Sequence, residues 1–319
     1  MRSKTQINKY TMKKLFILAL ALMLGVAAMA QEEAPANSHW HSIGHIGLNF
    51  SQGTFTNWAA GGQNTLAWLG TFDYSINYAK NNFKWDNTLN TALGYSYFDF
   101  DKKPLKTDDI FEFTSLAGLK ATETLNYSAE LAFRSQCAKG FDYDSDSTNY
   151  ISKFLAPGYI SLGLGMEWVP NDYFSLNFAP ITGRLTIVTD TALAARFGFE
   201  PELDPYDETE HIYRQTRFEF GARAVARLQY PIFNNVDFSS KLELFSNYLK
   251  DPHHIDVDWQ NLIVMKVNSW LNCNFGTHLI YDYDIPFYDL NPQTGLYELD
   301  PNSKIQFKEV LSVGVLFKL

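Results

Sequence analysis

Arg217, Glu219, Arg223 and Arg227 share one parity of the run 213–230, and Lys241 and Glu243 share one parity of the run 236–249. On an extended chain, residues two apart point the same way, so each set lines one face. Guanidinium forks bind carboxylates in a bidentate manner. Two chemistries follow. Interspersed acids and bases can pair with one another and brace a narrow space, or the arginine ladder can attract an outside anion such as a carboxylate. If the two runs join at the turn from Pro231 to Asn235, Arg223 is expected opposite Glu243.

Other residues carry weaker signals. In the segment from Asn57 to Gly62, the paired Gly61 and Gly62 permit close backbone approach. This loop is expected to pack against the wall or fold into a lumen and so fix the first hairpin; the alternative is that Asn57, Trp58, Gly61 and Gly62 form a constriction or ligand contact at the mouth. His39, His41 and His45 cluster early in the chain, and His253 and His254 lie in a polar segment with Asp251, Asp256 and Asp258. Imidazoles flanked by carboxylates have the donor types of a divalent-metal site. A hydrated loop explains them more simply, and no metal is assigned. Asp142, Asp144 and Asp146 have the odd spacing of a calcium loop without its glycine or distal glutamate. Acyl-transfer chemistry needs a nucleophile, a base and an orienting group. The chain has no G-x-S-x-G elbow and no serine convincingly placed beside a histidine. The expectation is a non-enzyme with no catalytic residue and no cofactor.

The elements that would position these residues are strands. In 270–284, Leu271, Cys273, Phe275, Thr277, Leu279, Tyr281 and Tyr283 occupy one column, while Asn272, Asn274, Gly276, His278, Ile280, Asp282 and Asp284 occupy the other. Long strands with one aromatic, apolar face and one charged face recur from end to end. That pattern predicts an all-β fold, a membrane-spanning antiparallel up-and-down β-barrel with lipid outside and water inside. Twelve strands are expected. The first six are 42–53, 63–80, 83–98, 109–122, 124–138 and 158–169. The remaining six are 172–189, 213–231, 236–249, 255–268, 270–284 and 304–319. Short turns alternate with the longer polar loops 54–62, 99–108, 139–157, 190–212, 250–254 and 285–303, which fits short periplasmic turns and long extracellular loops. Aromatics make up 16% of the chain and gather near strand ends, as interfacial belts require.

Three places break the pattern. Pro180 to Gly183 shifts the parity of the seventh strand, which predicts a bulge. Glu309 falls on the apolar column of the last strand, and Ser115 interrupts the apolar column of the fourth.

Lys13 and Lys14, the apolar run Leu15 to Val26 and Ala28-Met29-Ala30 read as a secretory signal peptide over residues 1–30. Residues 1–11 add nothing such a signal needs, which makes Met12 a candidate start. A short periplasmic segment (31–41) and the barrel (42–319) would follow. Removing residues 1–30 leaves 21 basic against 35 acidic residues, a net charge near −14 that excludes nucleic acid as a natural partner. Cys137 and Cys273 are read as free thiols on the apolar columns of two different strands.

Residues 47–64 (GLNFSQGTFTNWAAGGQN), 83–95 (FKWDNTLNTALGY) and 304–319 (KIQFKEVLSVGVLFKL) together resemble the Bacteroidota family catalogued as domain of unknown function 3078 (DUF3078). The resemblance implies an outer-membrane barrel and no established activity. The chain departs from many outer-membrane proteins in ending Phe317-Lys318-Leu319 rather than on an aromatic. The residues therefore lead to an integral outer-membrane protein whose partners are the bilayer and its surface lipids. A narrow channel for small polar solutes is the first functional expectation. A non-conducting structural or accessory component of an outer-membrane complex is the second, and a lipid-modifying enzyme at the rim is a distant third.

Overall fold

The computed structural model describes residues 38–54, 64–98, 104–142, 146–199, 201–204, 207–290, 297–300 and 303–318. The segment from Asn57 to Gly62 and residues 1–37 lie outside the described residues, and with them the first-loop constriction and the signal peptide.

Twelve antiparallel strands close into a barrel. The first six are β1 (Trp40–Gly53), β2 (Thr65–Lys80), β3 (Phe83–Phe98), β4 (Leu105–Lys120), β5 (Leu125–Ser135) and β6 (Gly158–Asn171). The rest are β7 (Phe174–Ile187), β8 (Thr216–Phe233), β9 (Val236–Asn247), β10 (Ile255–Lys266), β11 (Leu271–Tyr281) and β12 (Gln306–Lys318). Each strand pairs with its neighbour in sequence, and β12 pairs with β1. The closing seam is short: six residue pairs run from His45 opposite Lys318 to Phe50 opposite Val313. Every expected strand is present. The largest boundary difference is at β4, which starts at Leu105 rather than 109. A register shift opposite Gly94 and Tyr95 lets the polar Lys106 and Asp108 join the ladder.

The outer surface is apolar and belted with rings. At the short-turn end, the Trp40 ring lies 4.9 Å from that of Tyr78 and 5.9 Å from that of Trp85, while the Tyr173 and Tyr230 rings meet at 5.2 Å. At the other end Trp68 meets Tyr95, and Phe220 meets Tyr248. Several polar side chains on this face bond to one another. Ser115 accepts from Trp85 Nε1 at 2.8 Å and donates to Asn87 Oδ1, which accounts for its place among apolar neighbours. Glu309 points outward and is exposed on a strand whose pairing has no irregularity, so no bulge turns it inward. It stands opposite Thr277, next in line to Asn261, whose side-chain amide donates to Thr277 Oγ1.

The bulge expected at Pro180 is real. Pairing with β6 passes from Leu164–Ile181 to Met166–Phe178, leaving Gly165 opposite the two residues Ala179 and Pro180. Pro180 lacks an N–H, so it fits where the ladder is already interrupted. Before the bulge Ser175 and Asn177 point inward; after it Thr182, Arg184 and Thr186 do. Gly165 permits the crowding, since a Cβ there would sit 2.0 Å from the Phe178 carbonyl oxygen. Gly165→Ala is therefore expected to cost about 1–3 kcal/mol, read as a lower urea midpoint for loss of the heat-modifiable form on gels.

Three of the long loops hold structure that polar composition concealed. Gly140–Asp142 pairs with Asp146–Ser152, Pro201–Asp204 with Asp207–Tyr213, and Phe287–Leu290 with Tyr297–Asp300. A helical turn, Thr191–Ala194, continues as the 3-10 turn Ala195–Phe197. Ala156, Val188, Leu193, Ala194 and Phe199 form a small apolar core among these loops. Asp190 caps the turn through Ala192 N–H and accepts from Tyr150 and Lys153. Those two hydrogen bonds, Lys153 first, hold the Asp190 carboxyl below its ordinary range. Cys137 differs from expectation: it lies past the end of β5, exposed, with its N–H donating to Asp109 Oδ1. Both cysteines are free.

Candidate functional site: the charged lumen

Strand parity sends Arg217, Glu219, Arg223 and Arg227 of β8 and Lys241 and Glu243 of β9 into the bore. Arg223 meets Glu243 through two bonds, Nε to Oε1 at 2.7 Å and Nη2 to Oε2 at 2.9 Å. The register is not the simple one, because Arg223 stands opposite Phe245 and Glu243 opposite Val225. The pair forms on the diagonal, which long side chains span readily. Arg223 Nη1 also lies 3.0 Å from Glu130 Oε1 on β5, and Arg227 Nη2 approaches the same oxygen at 3.6 Å. Asn177 donates to the other Glu130 oxygen. Glu130 is 1% exposed, a carboxylate surrounded by its partners rather than by water.

Two contacts cross the bore between strands five places apart. Lys241 of β9 meets Glu112 of β4, and Arg134 of β5 meets Asp258 of β10, which also contacts His278 Nε2 at 2.9 Å. Toward the long-loop end, Arg184 of β7 holds Glu219 at 2.7 Å and Asp256 at 2.8 Å, and lies 3.9 Å over the Phe245 ring. Arg217 donates to the Gly198 carbonyl at 3.1 Å and lies 3.5 Å from Asp284. Toward the short-turn end, Lys84 of β3 meets Glu167 of β6 at 2.6 Å. The three arginines of the ladder thus all face carboxylates of the barrel itself.

The network reaches across the bore, but burial along the wall is uneven. On β4 to β8 many inward side chains are fully buried, among them Thr114, Leu116, Ser128, Asn177, Thr182 and Val225. On β2, β3 and β9 to β11, most inward side chains are half-buried, including Thr71, Asp73, Asn90, Gln260 and Asn274. Leu262, inward on β10, is 39% exposed. At the β12–β1 seam, Asn274 donates to Asn49 Oδ1 at 3.1 Å.

Arg223 and Glu243 also line a cavity of about 290 Å³. Its charged lining includes Arg134, Arg184, Glu112, Asp256, Asp258 and Asp282, and Pro157, Phe197 and Ile285 reach it from three loops. The apolar loop core and the crossing bonds were not visible in the chain. A hydrophobic cluster drawn from separate loops has no local period, and partners 124 or 129 residues apart carry no spacing signal. Parity reveals which residues face inward but not which of them meet.

No curated protein matches the sequence. Among solved structures, the COG4313 outer membrane channel from Pseudomonas putida F1 is similar at 10% identity and TM-score 0.39, over 90% of this chain and 100% of that one. The NanC porin is similar at 10% identity and TM-score 0.37, over 87% of this chain and 100% of the porin. The translocator domain of the autotransporter NalP from Neisseria meningitidis is similar at 9% identity and TM-score 0.29, over 98% and 99%. Residues 50–141 of this closed twelve-stranded barrel match the family model described as protein of unknown function (DUF3078), in support of the likeness drawn from its first two sequence blocks.

Proposed function

We propose that this chain is an integral outer-membrane barrel, exported by the signal peptide at residues 1–30, that passes small polar solutes along the less occupied half of its bore. One observation carries the reading: fully buried inward side chains concentrate on β4 to β8, while those across β9 to β11 and β2 to β3 are mostly half-buried. The less occupied wall carries amides and hydroxyls (Thr71, Thr88, Asn90, Gln260, Asn274) among the carboxyls of Asp73, Asp86 and Asp258, a surface suited to small polar solutes. The arginines already face Glu130, Glu243 and Glu219, so they act here as wall and brace. Twelve strands lie between filled eight-stranded barrels and open sixteen-stranded porins, and a half-filled bore suits that size. The role is that of a passage, without a catalytic step.

The bonds that cross the bore favour a second reading, a braced, non-conducting component of an outer-membrane assembly. Planar-bilayer recording of the refolded mature protein separates the two. Small, stable conductance steps, with liposome swelling in small neutral sugars, are the expected result. A silent bilayer from a protein with heat-modifiable mobility would overturn the passage and favour the brace.

A further inference from the structure

We propose that Asp251, His253 and His254 form a binding site for a divalent transition-metal ion of the zinc class at the long-loop end of the barrel. Each side chain offers one ligand atom, and the three atoms lie within 4.8 Å of one another. A tetrahedral ion with ligand bonds of 2.0–2.1 Å sets its ligands about 3.3 Å apart. The exposed side chains of Asp251 and His253 can close that difference by rotation.

The backbone explains why the donors converge. Consecutive residues on a strand send their side chains to opposite faces. Between β9 and β10 the chain instead bends. Asp251 adopts a φ of 49°, the His254 N–H donates to the Asp251 carbonyl at 2.9 Å, and Ser246 Oγ donates to the Pro252 carbonyl at 2.6 Å. The His253 and His254 rings consequently lie side by side, with centroids 4.1 Å apart.

A separate observation points to a ligand. His254 stacks on Tyr283 at 3.7 Å and 20°, which fixes the plane of its ring. Its Nδ1 is buried and has no hydrogen-bond partner among the described residues. A bound cation would supply an interaction to this histidine, whose ring is already held in place. Two imidazoles and one carboxylate select zinc, nickel or copper over calcium and magnesium, which prefer all-oxygen sets. Three protein ligands leave a fourth position for water or a solute group. Lys250, the neighbouring cation, leans toward Asp284 at 3.5 Å.

The test is titration of tag-free, refolded mature protein in detergent, with Zn²⁺ by calorimetry and Co²⁺ by visible absorption. One saturable equivalent is expected, lost in the double variant His253→Ala/His254→Ala and retained in His39→Ala/His41→Ala. Heat-modifiable mobility checks that each variant barrel is folded. Absence of saturable binding by the parent, or binding that survives the first double variant, would overturn the site.

Discussion

Arg223→Leu is expected to lower the unfolding free energy of the barrel by about 3–5 kcal/mol, because it strips a buried carboxylate of its main partner. Glu130 is 1% exposed, and Arg223 itself 6%. Without the guanidinium, Glu130 keeps the Asn177 amide and an Arg227 nitrogen at 3.6 Å, and Glu243 loses both arms of its bidentate pair. The comparison that isolates the cause is Arg223→Lys. An ammonium keeps the charge but not the fork, so its loss should fall between parent and leucine variant. Urea unfolding, followed by the heat-modifiable gel shift and by tryptophan fluorescence, measures all three. Equal midpoints for parent and leucine variant would mean that water already solvates Glu130, and the braced half of the lumen would have to be abandoned.

Removing the Lys241–Glu112 crossbar should give the second large effect. These side chains meet across the bore, and the double variant Glu112→Ala/Lys241→Ala deletes both without leaving an orphan charge. Each single variant leaves one partner uncompensated, so the two singles are expected to cost more in sum than the double. The coupling should be about 0.5–3 kcal/mol, as for residues within one ion-pair network. If the bore conducts, the same double variant should raise the single-channel conductance, since two long side chains leave the cross-section together. A stability coupling without a conductance change would make the crossbar a strut lying away from the solute path.

Much of this architecture was legible in the chain, for a definite reason. A barrel wall is read twice by the same alternation, once from lipid and once from water. Column patterns such as Phe218-Phe220-Ala222 against Arg217-Glu219-Arg223 therefore define both the strands and the direction of each charge. Pro180 announced its bulge because a parity change cannot occur without an extra residue. What stayed hidden depends on depth and on distance in sequence. Arg134 and Asp258 could be placed inside, but their meeting depends on strand tilt and barrel diameter. The three loop hairpins and the Leu193–Phe199 cluster were concealed by polar composition. His253 and His254 looked like a hydrated loop because the bend that aligns their rings lies in backbone geometry, which composition does not encode.

The seam between β1 and β12 is closed by six residue pairs, whereas β1 and β2 share fourteen. The first and last strands are thus joined like the short overlap of a clasp around a cylinder whose far side is cross-tied. When such a ring is strained, by insertion into a bilayer or by force on a terminus, the fewest bonds break at the clasp. The tied side keeps its curvature while the free edges separate. The short seam sets where the cylinder is expected to open, and the cross-ties hold the opposite wall together.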